Sequence, residues 1–164
     1  MMTNIEDRYK QVKEQEERLQ FAQFGYADAW RLGGVVARKA LERHLPILCE
    51  IRLNALQVFR FVNDGAKRHN ALWAERKFNT VDLLQRSSLR AYLMPSVGED
   101  DLFSELQHFD RRHYALLGGG FPIKLRGTGM IGAIAVSGLA HEDDHALVVE
   151  SMEEFLDVQE EEMI

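Results

Sequence analysis

Two alternating runs separated by two residues place the strongest limit on this chain. In LPILCEIRL, Ile47, Cys49, Ile51 and Leu53 alternate with Leu48, Glu50 and Arg52. After Asn54–Ala55 comes LQVFRFV, with Phe59 and Phe61 opposite Val58, Arg60 and Val62. A period of two is that of a half-buried strand. So short a connection joins antiparallel strands, because a parallel return needs a crossover of about a dozen residues. Asn63–Asp64–Gly65 ends the second strand. The chain therefore carries an antiparallel hairpin.

The flanking segments supply helices to cover it. From Asp28, Leu32, Val36 and Ala40 recur at i, i+4 and i+8 with Val35 beside them, an amphipathic helix stopped by Pro46. Residues 69–93 carry a long helical pattern, and the acidic stretch 98–109, GEDDLFSELQHF, holds one short helix. YALL at 114–117, FPIKLR with Phe121, Ile123 and Leu125 alternating, and MIGAIAVS supply two or three more strands. Leu147, Val148, Met152, Phe155 and Leu156 mark a last helix. Residues 1–20 read as a charged helix whose Tyr9, Val12 and Leu19 are sparse for a core face, so it is expected to pack on a partner subunit. Residues 159–164 form an acidic tail. The expectation is one α/β domain over 1–164, a sandwich with a central antiparallel sheet of about five strands flanked by helices.

Charge narrows the partners. Twenty basic residues against 26 acidic ones give −6, which disfavours nonspecific binding to nucleic acid or an anionic membrane. The longest apolar stretch, MIGAIAVSGLA, is far shorter than the ~20 residues of a spanning helix. A single cysteine, Cys49, among apolar neighbours reads as a buried free thiol in a reducing cytoplasm.

Three motifs invite chemistry. HEDDH at 141–145 satisfies H-E-x-x-H, in which two histidines on one helix turn hold zinc and the glutamate activates water. A third ligand would have to come from elsewhere. Glu160 to Glu162 lie about 22–26 Å along the same helix at ~1.5 Å per residue, leaving an upstream group such as His113. Glu142, Asp143 and Asp144 are equally explained as acidic residues at a helix start, complementing its dipole. GTGMIG at 127–132 spells G-x-G-x-x-G, but the following residues read as a strand, not the helix that would receive a pyrophosphate. Gly127–Gly129 is therefore a hairpin turn. The glycines at 118–120 permit a bulge or close backbone approach. No Ser-His-Asp or Cys-His arrangement emerges, and no catalytic residue is assigned.

On the long helix, Asn70, Trp73 and Lys77 share a face at i, i+3 and i+7, with Arg76 at its edge and Ser87–Ser88 near the helix end. An aromatic plate among hydrogen-bonding and cationic groups suits a pocket for an anionic, partly flat ligand. It equally suits a subunit interface or an ordinary half-buried helix.

The segment GGGFPIKLRGTGMIGAIAVSGLAHEDDHALVVESM resembles the GlcG/HbpS-like, or heme-degrading-domain, family. The likeness lies in Gly-Gly-x-Pro-Ile, a short hairpin, Ile-Gly-x-Ile-x-Val-Ser-Gly and an acidic helix start. HNALWAERKFNTVDLLQRSSL is similar to a branch of that family with an Asn-x-x-Trp…Arg-Lys…Asn-x-Val…Ser-Ser signature. The resemblance implies a profilin-like or PAS-like sandwich, homo-oligomeric assembly, and haem as a ligand of some relatives. It directs attention to Asn70, Trp73, Arg76, Lys77, Gly119, Pro122, Asp144 and His145, and makes His141 incidental. The expected protein is an oligomeric cytoplasmic binder of haem or another small anionic planar ligand. Its rivals are a structural or adaptor homo-oligomer working through protein contacts and, last, a zinc hydrolase using His141, His145 and Glu142.

Overall fold

The computed structural model describes residues 4–99 and 110–163. Its sheet contains β1 (Leu48–Leu53), β2 (Leu56–Val62), β3 (Gly120–Leu125) and β4 (Gly129–Ser137), in the order β2-β1-β4-β3 with every pairing antiparallel. The two hairpins meet along β1 and β4, in register from Leu48↔Ser137 to Leu53↔Gly132. Among the described residues five α-helices flank the sheet: α1 (Ile5–Arg18), α2 (Tyr26–Glu42), α3 (Arg68–Leu84), α4 (Ser88–Leu93) and α5 (His141–Glu162). Among the described residues no helix is long and apolar enough to cross a membrane.

The alternation sorts into the two faces. Ile47, Cys49, Ile51 and Leu53 join Phe121, Ile123, Ile134 and Val136 beneath α2 and α5, which contribute Leu32, Val36, Ala40, Val148, Met152 and Phe155. Leu48, Ala133 and Ala135 face the other way, onto Ala74, Phe78 and Val81 of α3. Small side chains on that face let α3 lie close to the sheet. Arg52, on the same face, lies 4.0 Å over the Phe78 ring and bonds Glu50 and Glu75. Cys49 is buried, and burial pushes its thiol pKa up. Pro122 is tolerated because β3 is an edge strand, where a missing N–H breaks no interior ladder.

Three expectations change. Among the described residues the sheet has four strands, and YALL is not one of them. It runs along α3, which takes both backbone groups of Ala115: Thr80 Oγ1 donates to Ala115 O (2.8 Å) and Ala115 N donates to Arg76 O (3.2 Å), while Asn79 Nδ2 holds the preceding His113 O (2.7 Å). The long helix breaks at Gln85, in the left-handed region at φ 55°, and Ser87 caps a new helix by accepting from Arg90 N. The charged helix α1 does find a core face on its own chain: Tyr9 and Val12 join Leu89, Leu93 and Met94. Glu16 is buried against Arg90 (3.2 Å) and Ser87 (3.1 Å). In keeping with the continuous helix expected through Glu160 to Glu162, residues 159–162 of the acidic tail are the last turn of α5, anchored by Gln159 bonded to Gln23 O (3.0 Å) and Glu160 paired with Arg126 (3.1 Å). The short helix expected within 98–109 falls mostly on 100–109, outside the described residues.

Burial raises the Glu16 carboxyl above its ordinary value, and Arg90 opposes that rise. Arg90→Met should therefore lower stability by roughly 3 kcal/mol in urea titrations, because it leaves a buried carboxylate unpaired. Arg90→Met combined with Glu16→Met should recover most of the loss. If α1 were held mainly by another subunit, the single change would cost little in a monomeric sample.

Candidate functional site

The strand-to-helix turn after β4 is organised by one buried ion pair. Lys77 reaches from the middle of α3 to donate to Asp144 Oδ2 (2.9 Å) and to the Val136 carbonyl (2.8 Å); the two residues are 3% and 2% exposed. Asp144 Oδ1 accepts from Leu139 N (2.9 Å), so the same carboxylate closes the turn into α5, whose N-cap, Ala140, has no capping side chain. Burial is the largest influence on both groups. It lowers Lys77 below the usual ammonium value and raises Asp144 above the usual carboxylate value, while each opposes the other's shift.

Gly119 lies against this pair at φ +128°. A Cβ there would collide with the Val136 carbonyl and come within 2.6 Å of Lys77 Nζ. Only glycine combines that backbone angle with that approach. Gly120 N is held by Ser88 Oγ (2.8 Å), which ties α4 to the start of β3.

Above the pair opens a cleft of about 300 Å³, lined by His69, Asn70, Trp73, Lys77, Leu117, Ser137, Gly138, Leu139, His141 and Asp144. A neighbouring chamber of about 390 Å³ shares Trp73 and Leu117 and adds Tyr92, Pro95, Arg111, Tyr114, Ala115 and Leu116. Tyr92 meets the His141 ring edge-on at 4.8 Å, and Arg76 stacks on Trp73 at 4.8 Å. Among the described residues neither Arg76 nor Arg111 has an ion-pair partner.

Of the residues singled out in the sequence, Asn70, Trp73, Lys77 and Asp144 line one cleft, with Arg76 on the outer side of Trp73 and Gly119 behind the ion pair. Pro122 lies in the sheet, paired with Ala133. His145 faces the interior, its Nε2 2.7 Å from Gln15 Oε1 and its ring 5.9 Å from Phe121. His113 stands 71% exposed beside Asp110. His141, read as incidental, does line the cleft. Sequence reasoning also passed over His69, Tyr92 and Arg111. His69 was within reach, one turn before Trp73 on the same helix face; the other two come from segments that only tertiary structure brings near.

HEDDH does open a helix, as a zinc motif would, but its side chains have other engagements. His141 Nδ1 accepts from Gly118 N (3.1 Å), Glu142 pairs with Arg8 (2.5 Å), and His145 is bonded to Gln15. Among the described residues no three His, Cys, Asp or Glu side chains gather as a metal site would require.

The profile of the family described as haem degrading protein HbpS-like matches residues 24–153. A UPF0303 protein of Sinorhizobium medicae is 41% identical over 160 residues, covering 98% of this chain and 97% of the relative. The crystal structure of Ybr137w protein superposes with a TM-score of 0.80 at 28% identity, over 92% of this chain and 88% of that one. A PduOC:heme complex superposes with a TM-score of 0.63 at 18% identity, over 79% and 93%, a likeness of fold. The chain belongs to the HbpS-like family.

Two outcomes follow from this geometry. Lys77→Met and Asp144→Leu should each cost roughly 3–5 kcal/mol by stranding a buried charge, while the double variant should be markedly more stable than their sum, as a denaturant double-mutant cycle would show. The second concerns His145, which burial lowers to about 3 from an ordinary 6.5. The folded state then binds fewer protons than the unfolded one between those values, so stability is complete above pH 6.5 and falls as pH drops. His141, lowered by its own burial, acts in the same direction. Between pH 6.5 and 5, His145→Gln should flatten but not abolish the decline in unfolding free energy, at most about 1.4 kcal/mol per pH unit for one proton.

Proposed function

We propose that this HbpS-like chain binds a small, planar, anionic ligand in the cleft between α3 and the start of α5. The observation that carries the reading is Trp73. It forms the shared wall of both chambers, with the guanidiniums of Arg76 and Arg111, which have no ion-pair partner among the described residues, against its ring and in the second chamber. An aromatic plate suits a flat molecule, and arginines suit carboxylates. Haem belongs to this class through its flat ring and its carboxylates, and the family's description and the heme-bound neighbour favour it. Each chamber alone is at the small end of ligand sites, about 300–1,000 Å³, so a large ring would span both. Lys77 serves the cleft as structure, since its ammonium is committed to Asp144 and Val136.

A second reading, assembly through protein contacts, rests on another surface. Edge strand β2 leaves Leu56 57% and Val62 55% exposed, and Trp30 is 63% exposed while stacking edge-on to Phe59 at 5.2 Å. An unpaired edge beside an aromatic anchor suits contact between copies of this chain. The two readings are compatible, and we place the protein in the reducing cytoplasm, in keeping with its buried Cys49 thiol.

Titration of the purified protein with hemin, followed by the Soret band, tests the ligand reading. A saturable shift near one equivalent per chain is expected, weakened about tenfold or more in Trp73→Ala and in the double variant Arg76→Gln/Arg111→Gln, with melting temperatures little changed. Equal affinity in all three proteins would remove the cleft from the account.

A further inference from the structure

The histidines near the cleft bear on how a ligand is held. His141 Nδ1 accepts a hydrogen bond from Gly118 N–H. An acceptor nitrogen in a neutral imidazole has no proton, so the ring's proton sits on Nε2 and that nitrogen is a donor. Iron needs a lone pair, and His141 would have to give up its bond to Gly118 to present one. His145 is 1% exposed and bonded to Gln15, while His113 lies in the exposed turn beside Asp110. His69 lines the cleft from its exposed outer end.

The rest of the polar chamber is also rich in donors. Asn70 Oδ1 accepts from Lys67 N (2.8 Å), which fixes the amide so that both Nδ2 hydrogens remain free of any partner among the described residues. Ser137 adds a hydroxyl, and the acceptor Asp144 is already taken by Lys77 and Leu139. Beyond Trp73 the second chamber is mainly aromatic and apolar, with Arg111 on its wall.

Building on the cleft proposed above, we infer that this site recognises the oxygen atoms of an aromatic carboxylate and not a metal centre: carboxylate oxygens accept from His141 Nε2–H and Asn70 Nδ2–H, and the ring occupies the chamber between Trp73 and Tyr92. A porphyrin is bound in this scheme through its edge, without any call on iron. The closed pair Lys77–Asp144 forms a neutral floor, which leaves the anion to fixed dipoles and to the guanidiniums of Arg76 and Arg111.

Iron-free protoporphyrin IX compared with hemin, by fluorescence and absorbance titration of the full chain, separates the two chemistries. The expected result is equal affinity within about twofold. Asn70→Asp should weaken both porphyrins about tenfold or more, since it keeps the oxygen that caps α3, removes the donor and adds a repelling charge. His141→Phe, which keeps a ring against Tyr92 but removes the donor, should act alike on both, and an unchanged melting temperature in Asn70→Asp guards against a folding artefact. Hemin binding tenfold or more tighter than protoporphyrin IX, with a Soret shift that Asn70→Asp leaves intact, would overturn the inference while leaving the cleft as the site. Binding of neither porphyrin would remove the proposed function as well.

Discussion

The Lys77–Asp144 ion pair is the constraint on which this end of the molecule depends. One ammonium joins the middle of α3, the last turn of β4 and the first turn of α5, and one carboxylate both receives it and closes the loop at Leu139. A buried pair of this kind is not a large source of net stability, because desolvating both ions offsets much of their attraction. Its effect is on geometry, since each buried charge is satisfied by the other and by the backbone groups of Val136 and Leu139. Gly119 follows from it, because any side chain there would displace the ammonium or the Val136 carbonyl. The cleft walls follow as well: α3 is held at a fixed height above the β4–α5 turn, and His69, Asn70 and Trp73 are carried with it on the same face.

Much of the fold could be read from alternation and helical spacing. The residues at 47, 49, 51 and 53 face one core and Leu48 the other, because a half-buried strand beneath helices admits no other period. Features settled by distant partners were not readable. YALL has strand-like composition, but Thr80 takes the Ala115 carbonyl and the Arg76 carbonyl takes the Ala115 N–H, a role invisible in its own residues. The apolar residues of α1 are too few to suggest a core face, and its docking depends on Glu16, which finds Arg90 74 positions away. Gln85 adopts a left-handed conformation that its residue type does not announce.

The candidate site divides along the same line. Asn70, Trp73 and Lys77 were legible as one helix face, since that spacing is local. The use of Lys77 was not, because whether an ammonium meets a ligand or a buried aspartate 67 positions later is decided by tertiary structure. His145 and His141 exchanged roles for a comparable reason. They share a face of α5 one turn apart, but the His145 ring is taken by Gln15 and lies against Phe121, while the His141 ring meets Gly118 N and Tyr92 at the cleft. What lies between α3 and α5 is a donor-lined chamber joined to an aromatic one, with two arginines that have no ion-pair partner among the described residues.

The central claim, that ligand enters between α3 and the start of α5, is tested most directly by amide hydrogen exchange on the full chain with and without saturating hemin. The account predicts added protection confined to residues 66–77, 114–119 and 137–145, with the β2 edge and α2 unchanged. Protection concentrated on 26–33 and 56–62, with the cleft segments exchanging as before, would contradict it and transfer the function to the edge-strand surface.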